Sequence, residues 1–548
     1  MKKIRPDEFI FYGYHSPMVG KYVHDVITKD RYLKKKNYFD SLYQAVPIEN
    51  TDKIILYDII YEDDKKTVKD FRTAKYFKEY NDCGFNVMFM QRNTCEYNGE
   101  DFDTSELKKY LDVAMKGGTE RIIIGDMRLH DLSGLKTPIV GDGCRFKTDE
   151  ELENYCAECI KPYKDYPSFF GVYLHDEPTW ENLPQVCKVY RALKKACPEM
   201  YVQTNLLPLA GDAEAVTGNG QTSASLFVDV SLPENKHITV AEAYEKYVEA
   251  FVRLSGANNI TMDSYPIRQT GPYKDVGRYD DPEYYLSGAV PEEKESYFIL
   301  PTHYKCLEIL GKASKKHGCT LGGVANSCAM VKVFSDESKN LLYSHKAPDE
   351  DDMYYQLNAY MAFGFSTFSY YVYWSKRDNG PGCHHLEGTT FVNRDGTTTA
   401  LYKSMKRIHA EMKEFAPVLT GYVYSGMKWL GDKSLKYLKT CSRDSFVRVT
   451  DAVLLDGESA VLTELKSRLP RIKDCACSKN DKYMYAVFNS QAPVCGGIKP
   501  SVKVSLTFSE EVKELNVYIK GKKLTNTVEN GKLTIEIPYG GVVFIEEK

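Results

Sequence analysis

Short apolar runs alternate with longer amphipathic segments through residues 1–419. The runs are FIFYGY at Phe9–Tyr14, FNVMFM at Phe85–Met90, RIIIGD at Arg121–Asp126 and FFGVYLHDEP at Phe169–Pro178. They continue with YVQTNLLP at Tyr201–Pro208, NITMDSYP at Asn259–Pro266, TLGGVANS at Thr320–Ser327 and STFSYYVYW at Ser366–Trp374. Segments of helical period, such as SELKKYLDVAMKGG and TVAEAYEKYVEAFVRLSG, stand between them. Continuous apolar runs of this length suit strands buried on both faces. Gly84, Gly118, Gly318 and Gly364 each stand between a helical segment and the next strand, where a helix commonly ends. Strands and helices in strict alternation predict a parallel sheet, and eight such units predict a closed (β/α)8 TIM barrel. An open doubly wound sheet is the competing fold, but its Gly-rich phosphate loop is missing after the first strand, which runs on as HSPMVGKY.

The pattern changes after about residue 420. KYMYAVFN, SVKVSLTF, ELNVYIKG, KLTIEIPYG and GVVFIEEK show period two between Gly and Asn turns. Residues 420–548 are therefore expected to form a small all-β domain, an antiparallel sandwich, with the barrel in 1–419. KIILYDIIYEDDKKTVKDF, between the first two strands, reads as a hairpin insertion over one rim, and ALYKSMKRIHAEMKEFAPVL (Ala400–Leu419) as the helix that closes the barrel.

Composition narrows the function. With 548 residues and 43% apolar side chains the chain can bury a large core. A net charge of −4 argues against a nucleic-acid or anionic-membrane partner. No apolar run reaches membrane-helix length, and MKKIRPDEFIFYGYH lacks the apolar stretch of a signal peptide, so a soluble cytoplasmic chain is expected. Fifteen scattered cysteines fit reduced thiols. Cys156 and Cys159 share one helix face, and neither they nor Cys475 and Cys477 have a second pair at zinc-ribbon spacing. Cys383, His384 and His385 lack further ligands at matching spacing. No metal and no cofactor is expected. A homo-oligomer is left open. Tyr (42) far outnumbers Phe (24) and Trp (3), which suits binding of sugar faces and hydroxyls.

Barrel active sites lie at the carboxyl ends of the strands. Those ends carry Tyr14 and His15, Gln91 and Asn93, Asp126 and Arg128, His175, Asp176 and Glu177, Gln203 and Asn205, Asp263 and Tyr265, Asn326, and Tyr371, Tyr373 and Trp374. Cleaving a glycosidic bond needs two carboxyl groups, one of them held protonated. Glu177 ends a buried strand just before Pro178, and ionisable groups there are costly without a purpose, although an N-cap or salt bridge would also explain one. Asp263 in MDSYP is the second carboxylate, against a turn-forming role. Asp126 is either a hydroxyl ligand or a partner of Arg128, His175 and Asp176 either bind substrate or orient Glu177, and Trp374 is either a sugar platform or core. Tyr14, Asn205, Tyr265, Asn326 and Tyr371 complete the expected carbohydrate contacts, with Glu387 in reserve.

At these residues the chain resembles clan A glycoside hydrolases, in particular β-galactosidase-like barrels of gut bacteria with a C-terminal sandwich. GVYLHDEP, MDSYP and AYMAFGFSTFSYYVYW carry the resemblance, followed by VNRDGTTTALYKSMKRIHAEM and the late PYGGVVFIE. The resemblance implies hydrolysis of a carbohydrate substrate, with Glu177 as the acid at the end of strand four and Asp176 where the clan usually has Asn. It also implies a nucleophilic Glu at the end of strand seven, but that strand ends in Asn326. Three alternatives follow: Asp263 supplies the second carboxylate, the strand count is off by one, or the chain binds carbohydrate without cleaving it.

Overall fold

A computed structural model describes residues 5–17, 20–34, 36–62, 67–90, 97–98, 101–102, 104–209, 224–269, 297–299, 303–333, 341–345, 347–375, 383–385, 388–431, 441–467, 482–491, 499–510, 512–527 and 531–547. Gln91, Asn93, Glu387, Cys475 and Cys477 lie outside the described residues, as do the side chains of Cys383, His384 and His385.

The barrel strands are β1 (Ile10–Gly13), β2 (Met88–Met90), β3 (Ile122–Gly125), β4 (Phe169–Asp176), β5 (Tyr201–Leu206), β6 (Asn259–Asp263), β7 (Thr320–Asn326) and β8 (Thr367–Tyr371). They form one parallel sheet in the order β1-β8-β7-β6-β5-β4-β3-β2. The ring closes between β1 and the residues leading into β2. There Asn86 and Val87 N–H groups donate to Phe11 O at 3.2 and 3.1 Å, and Phe11 N–H donates to Asn86 Oδ1 at 2.8 Å. An amide side chain thus replaces one ladder bond at the seam.

The helices are α1 (Ala74–Asp82), α2 (Thr104–Lys116), α3 (Asp149–Ile160), α4 (Leu183–Ala196), α5 (Val240–Ser255), α6 (His303–His317), α7 (Glu350–Ala362) and α8 (Ala400–Leu419). One of α1–α7 precedes each of β2–β8, and α8 follows β8, as the sequence pattern predicts. The glycines expected between helix and strand take left-handed backbone, with Gly84 at φ 104° and Gly318 at φ 73°. The described part of the chain between β1 and β2 is larger than a hairpin. Lys21–Thr28, Lys53–Ile59 and Gln44–Pro47 pair as a three-stranded antiparallel sheet, with Ile27, Phe39, Tyr43, Ile54 and Leu56 as its own core. It is tied to the segment after β8, where Lys69 Nζ donates to Asp395 O at 2.8 Å and Arg394 pairs with Asp58 at 2.5 Å.

The C-terminal strands are β9 (Tyr422–Gly431), β10 (Val449–Asp456), β11 (Ser459–Ser467), β12 (Tyr483–Asn489), β13 (Val502–Phe508), β14 (Glu514–Ile519), β15 (Lys522–Thr527), β16 (Lys532–Ile537) and β17 (Val542–Glu547). A six-stranded antiparallel sheet, β9-β11-β12-β17-β14-β15, faces a three-stranded sheet, β10-β13-β16, across an apolar core. Period two holds in β13 and β16 but fails in β11 and β12, where successive residues are buried. The reason is a second contact. The outer face of the large sheet packs on the barrel helices, with Phe415 against Phe544 at 4.7 Å and Tyr355 against Tyr539 at 5.4 Å. Gly311 permits the approach of α6, since a Cβ there would stand 2.6 Å from the Tyr424 ring. Asn358 Nδ2 donates to Gly540 O at 2.7 Å across the same junction.

Candidate active site

The carboxyl ends of β4, β5 and β6 line up in register. Asp176 pairs with Asn205, and Asn205 with Thr261. One residue beyond Asp176 the chain turns into left-handed backbone at Glu177 (φ 46°), whose N–H donates to Asn205 O at 2.8 Å. This conformation is uncommon for a residue with a Cβ, and it swings the Glu177 side chain off the strand direction toward β6. There it meets Asp263, and the two carboxyls share a hydrogen bond.

Their environments differ. Glu177 stands open to water at the cleft floor, although protein surrounds it on most sides. Asp263 is only 8% exposed. Burial raises the pKa of Glu177, the Asp176 charge raises it further, and the hydrogen bond from Asp263 works the other way. Burial, then the charges of Glu177 and Asp176, push Asp263 far above the usual carboxylate range. Of the two, Asp263 is therefore the carboxyl that burial keeps protonated to higher pH. His303, buried next to Ser264 with Nδ1 2.8 Å from Ser264 Oγ, has its pKa pushed down to about 3 by burial and stays neutral.

Asp176 is solvent-exposed and accepts a hydrogen bond from Asn205 Nδ2 at 3.1 Å. Below it lie Tyr14 and Tyr173, their rings 6.1 Å apart and edge to face. Both phenols are buried, and burial and the nearby Asp176 charge raise both pKa values. Tyr265 and Tyr371 are half-buried, 6.2 Å apart, and Tyr371 reaches Tyr14 at 6.1 Å. Tyr14, Asp176, Glu177, Asn205, Asp263, Tyr265 and Tyr371 thus meet in one place.

Trp374, Asp126 and His175 have their side chains engaged elsewhere. Trp374 is 1% exposed and packs between Phe71 at 4.7 Å and Tyr76 at 5.3 Å, so the expected platform is a core side chain. Beyond Tyr371 the chain still bonds to the end of β1, with Tyr373 N–H donating to Tyr14 O at 2.8 Å, but the Trp374 ring packs against Tyr76 of α1. Asp126 is fully buried and saturated. It caps the helix Met127–Ser133 through Arg128 N–H at 3.0 Å, pairs with the Arg128 guanidinium at 2.6 Å and accepts from Tyr163 Oη at 2.8 Å. Of the two roles considered for it, the partner of Arg128 is the one found. His175 points away from the cleft, its Nδ1 3.1 Å from Ser133 Oγ and its Nε2 3.2 Å from Asn182 Nδ2. Asn326 is buried, and its backbone N–H and C=O are both taken by the Gln356 side chain. Asp126→Asn keeps the shape but removes the charge that Arg128 and Tyr163 meet. A loss of ~1.5–3 kcal/mol in urea-unfolding stability is expected, with the site's chemistry intact.

Tyr173 is the floor residue that sequence reasoning missed. β4 slips register against both neighbours, between Ile122 and Ile123 and between Gln203 and Thr204. Alternation counted back from Asp176 therefore assigns Tyr173 to the wrong face.

No protein-family model and no curated protein matches the chain. Among solved structures it is similar to a GH30 endoxylanase from Clostridium papyrosolvens C71, at 10% identity and TM-score 0.34, covering 87% of this chain and 92% of that one. It is also similar to a family 1 β-glucosidase from Thermotoga maritima, at 8% identity and TM-score 0.35, covering 61% and 84%. An α-amylase from Anoxybacillus aligns over 100% of this chain and 99% of its own, at 9% identity and TM-score 0.38. At this depth of likeness the functional reading rests on the residues of the site itself.

Among the described residues no group of three or more His, Cys, Asp or Glu side chains is placed to hold a metal ion, and no helix is long and apolar enough to cross a membrane. Cys156 and Cys159 are buried free thiols, and burial pushes the latter up to about 11.

Proposed function

We propose that the chain is a glycoside hydrolase whose acid is the Glu177–Asp263 pair. The observation that carries the reading is the hydrogen-bonded carboxyl pair, one member buried and one open, at the carboxyl end of a (β/α)8 barrel. Cleaving a glycosidic bond requires a proton for the departing oxygen at a pH where ordinary carboxyls are ionised. The pair supplies it. In the resting protein Asp263 holds the proton. A sugar seated over Glu177 displaces water from it, raises its pKa and draws the proton across to the side that faces the substrate. Delivery to the leaving oxygen leaves both carboxylates ionised beside the positive charge that grows on the sugar ring, which they stabilise. Tyr265 and Tyr371 offer apolar faces, and Tyr14 and Asn205 offer buried polar atoms, to a carbohydrate.

A second reading, a carbohydrate-binding protein without catalysis, is favoured by one observation: β7 ends in Asn326 and offers no carboxylate. The pH–rate profile on a glycoside with a poor, alkyl leaving group separates the two. The hydrolase reading expects turnover that falls at high pH as the pair loses its proton. In Asp263→Asn the amide donates to Glu177 and cannot store a proton, so the high-pH limb moves to lower pH. An unmoved limb, or no turnover by the wild type, contradicts the role of the pair.

The same variant has a signed effect on stability. The Asp263 carboxyl titrates higher in the folded chain than in the unfolded one, so folding takes up a proton and stability falls as pH rises above ~4. Asp263→Asn is expected to raise Tm at neutral pH, the gain vanishing once both states are protonated in acid. Thermal melts at several pH values check this.

A further inference from the structure

A cavity of about 560 Å³ lies between the end of α6 and the C-terminal domain, lined by α6, β9, β11 and the segment leading into β10. α6 ends at His317 and β7 begins at Thr320, so the cavity is at the amino end of the barrel. Glu177 and Asp263 stand at the opposite, carboxyl end. The volume falls within the ~300–1,000 Å³ of small-molecule sites.

Local irregularities of the chain shape its lining. The pairing of β9 with β11 slips register between Tyr424 and Gly426, and the Ser425 carbonyl at the slip accepts from Lys315 Nζ at 2.7 Å. A Cβ on Gly426 would stand 2.8 Å from Asp444 Oδ2, so glycine lets that carboxylate lie against the strand. Asp444 Oδ2 accepts from Met427 N–H at 3.1 Å, and Oδ1 accepts from nothing among the described residues. Glu464 is only 4% exposed and still lines the cavity. Its Oε2 accepts from Val447 N–H at 2.9 Å and from Tyr485 Oη at 3.3 Å, and its Oε1 has no hydrogen bond among the described residues. Tyr424 is another lining residue whose buried hydroxyl has no partner there. Buried polar atoms left without partners cost free energy unless a ligand or water satisfies them.

The lining matches a sugar better than an ion. Lys312 Nζ is held by Glu308 Oε1 at 2.8 Å and Ser442 Oγ at 3.4 Å, and Lys315 Nζ by the Ser425 carbonyl, each with an N–H to spare. Donors from the lysines and acceptors from Asp444 and Glu464 therefore share one cavity. Sugar hydroxyls both give and take hydrogen bonds and meet both kinds of group. A phosphate or other free anion meets the two carboxylates as like charges. Phe446, half-buried in the same lining, adds an aromatic face for the apolar side of a sugar ring. We propose that this cavity binds a neutral oligosaccharide, at a site separate from the Glu177 cleft. The site stands on its own lining, whether or not the cleft cleaves a glycoside.

The test titrates cellobiose, lactose, maltose and xylobiose by calorimetry into the full chain carrying Glu177→Gln, which keeps the sugars uncleaved. At least one is expected to show a binding event that Lys315→Met and Glu464→Gln, each added to that background, weaken by at least ~10-fold. Lys315 is exposed, so its variant keeps the test decisive even where Glu464→Gln fails to fold. In the otherwise native chain, Lys315→Met should leave kcat on a nitrophenyl glycoside within about twofold of wild type. No binding of any of these sugars, binding that Lys315→Met leaves unmoved, or binding of inorganic phosphate in their place overturns the proposal. A chain inert on every glycoside that still binds a disaccharide through Lys315 and Glu464 overturns the hydrolase reading and leaves this site standing.

Discussion

Glu177→Gln is expected to lower kcat by ~10²–10⁴-fold on a glycoside with a poor leaving group, with a smaller change in KM. The amide keeps the size and the backbone geometry of the side chain but cannot hold or pass the proton stored with Asp263. The loss should shrink as the leaving group becomes more acidic, because a nitrophenolate departs without protonation. That dependence separates an acid from a residue that only positions substrate. A positioning residue would cost the same factor on every leaving group. Stability moves little, because the Glu177 side chain is open to water and its backbone bond to Asn205 O is kept.

Trp374→Ala is expected to destabilise the fold by ~3–5 kcal/mol, read as a fall in the urea midpoint without a change in slope. The indole is fully enclosed, with Phe71, Tyr76 and Tyr373 around it, and its removal leaves a cavity that aromatic neighbours held from several elements cannot collapse to fill. Affinity for sugar, measured at a temperature where the variant is still folded, should stay within a few-fold of wild type. A sugar platform would give the opposite pattern, a large loss of affinity at small cost in stability.

The barrel was legible because its signals are local. Each strand is a short apolar run, each helix has its own period, and Gly84 and Gly318 mark the joins with backbone that other residues resist. Position along the chain also singled out Glu177 and Asp263 as candidates, since strand ends are where barrel chemistry sits. Which way a side chain points was not local. Tyr173 was missed because β4 slips register on both sides. Trp374 was misplaced because its side chain packs outward against Phe71 and Tyr76, in the core beside α1, and not over the strand ends. Asp126 sits at a strand end like Glu177, but a cap, a guanidinium and a phenol from three places in the chain use up its oxygens. In β11 and β12 the period-two pattern was lost because the barrel helices cover the face that an isolated sandwich would leave wet.

The coupling of Glu177 to Asp263 lay furthest from the sequence. Eighty-odd residues separate them, and only the parallel pairing of β4, β5 and β6 sets them side by side. Burial of Asp263 is a cost to the fold, and a fold tolerates such a cost where function draws on it.

Turnover of a panel of nitrophenyl glycosides by the wild-type chain in heavy-oxygen water tests the central claim most directly. At least one member is expected to be cleaved, with the heavy oxygen in the released sugar and none in the phenol. Sugar binding by calorimetry with no product from any member, or heavy oxygen in the phenol, would contradict it.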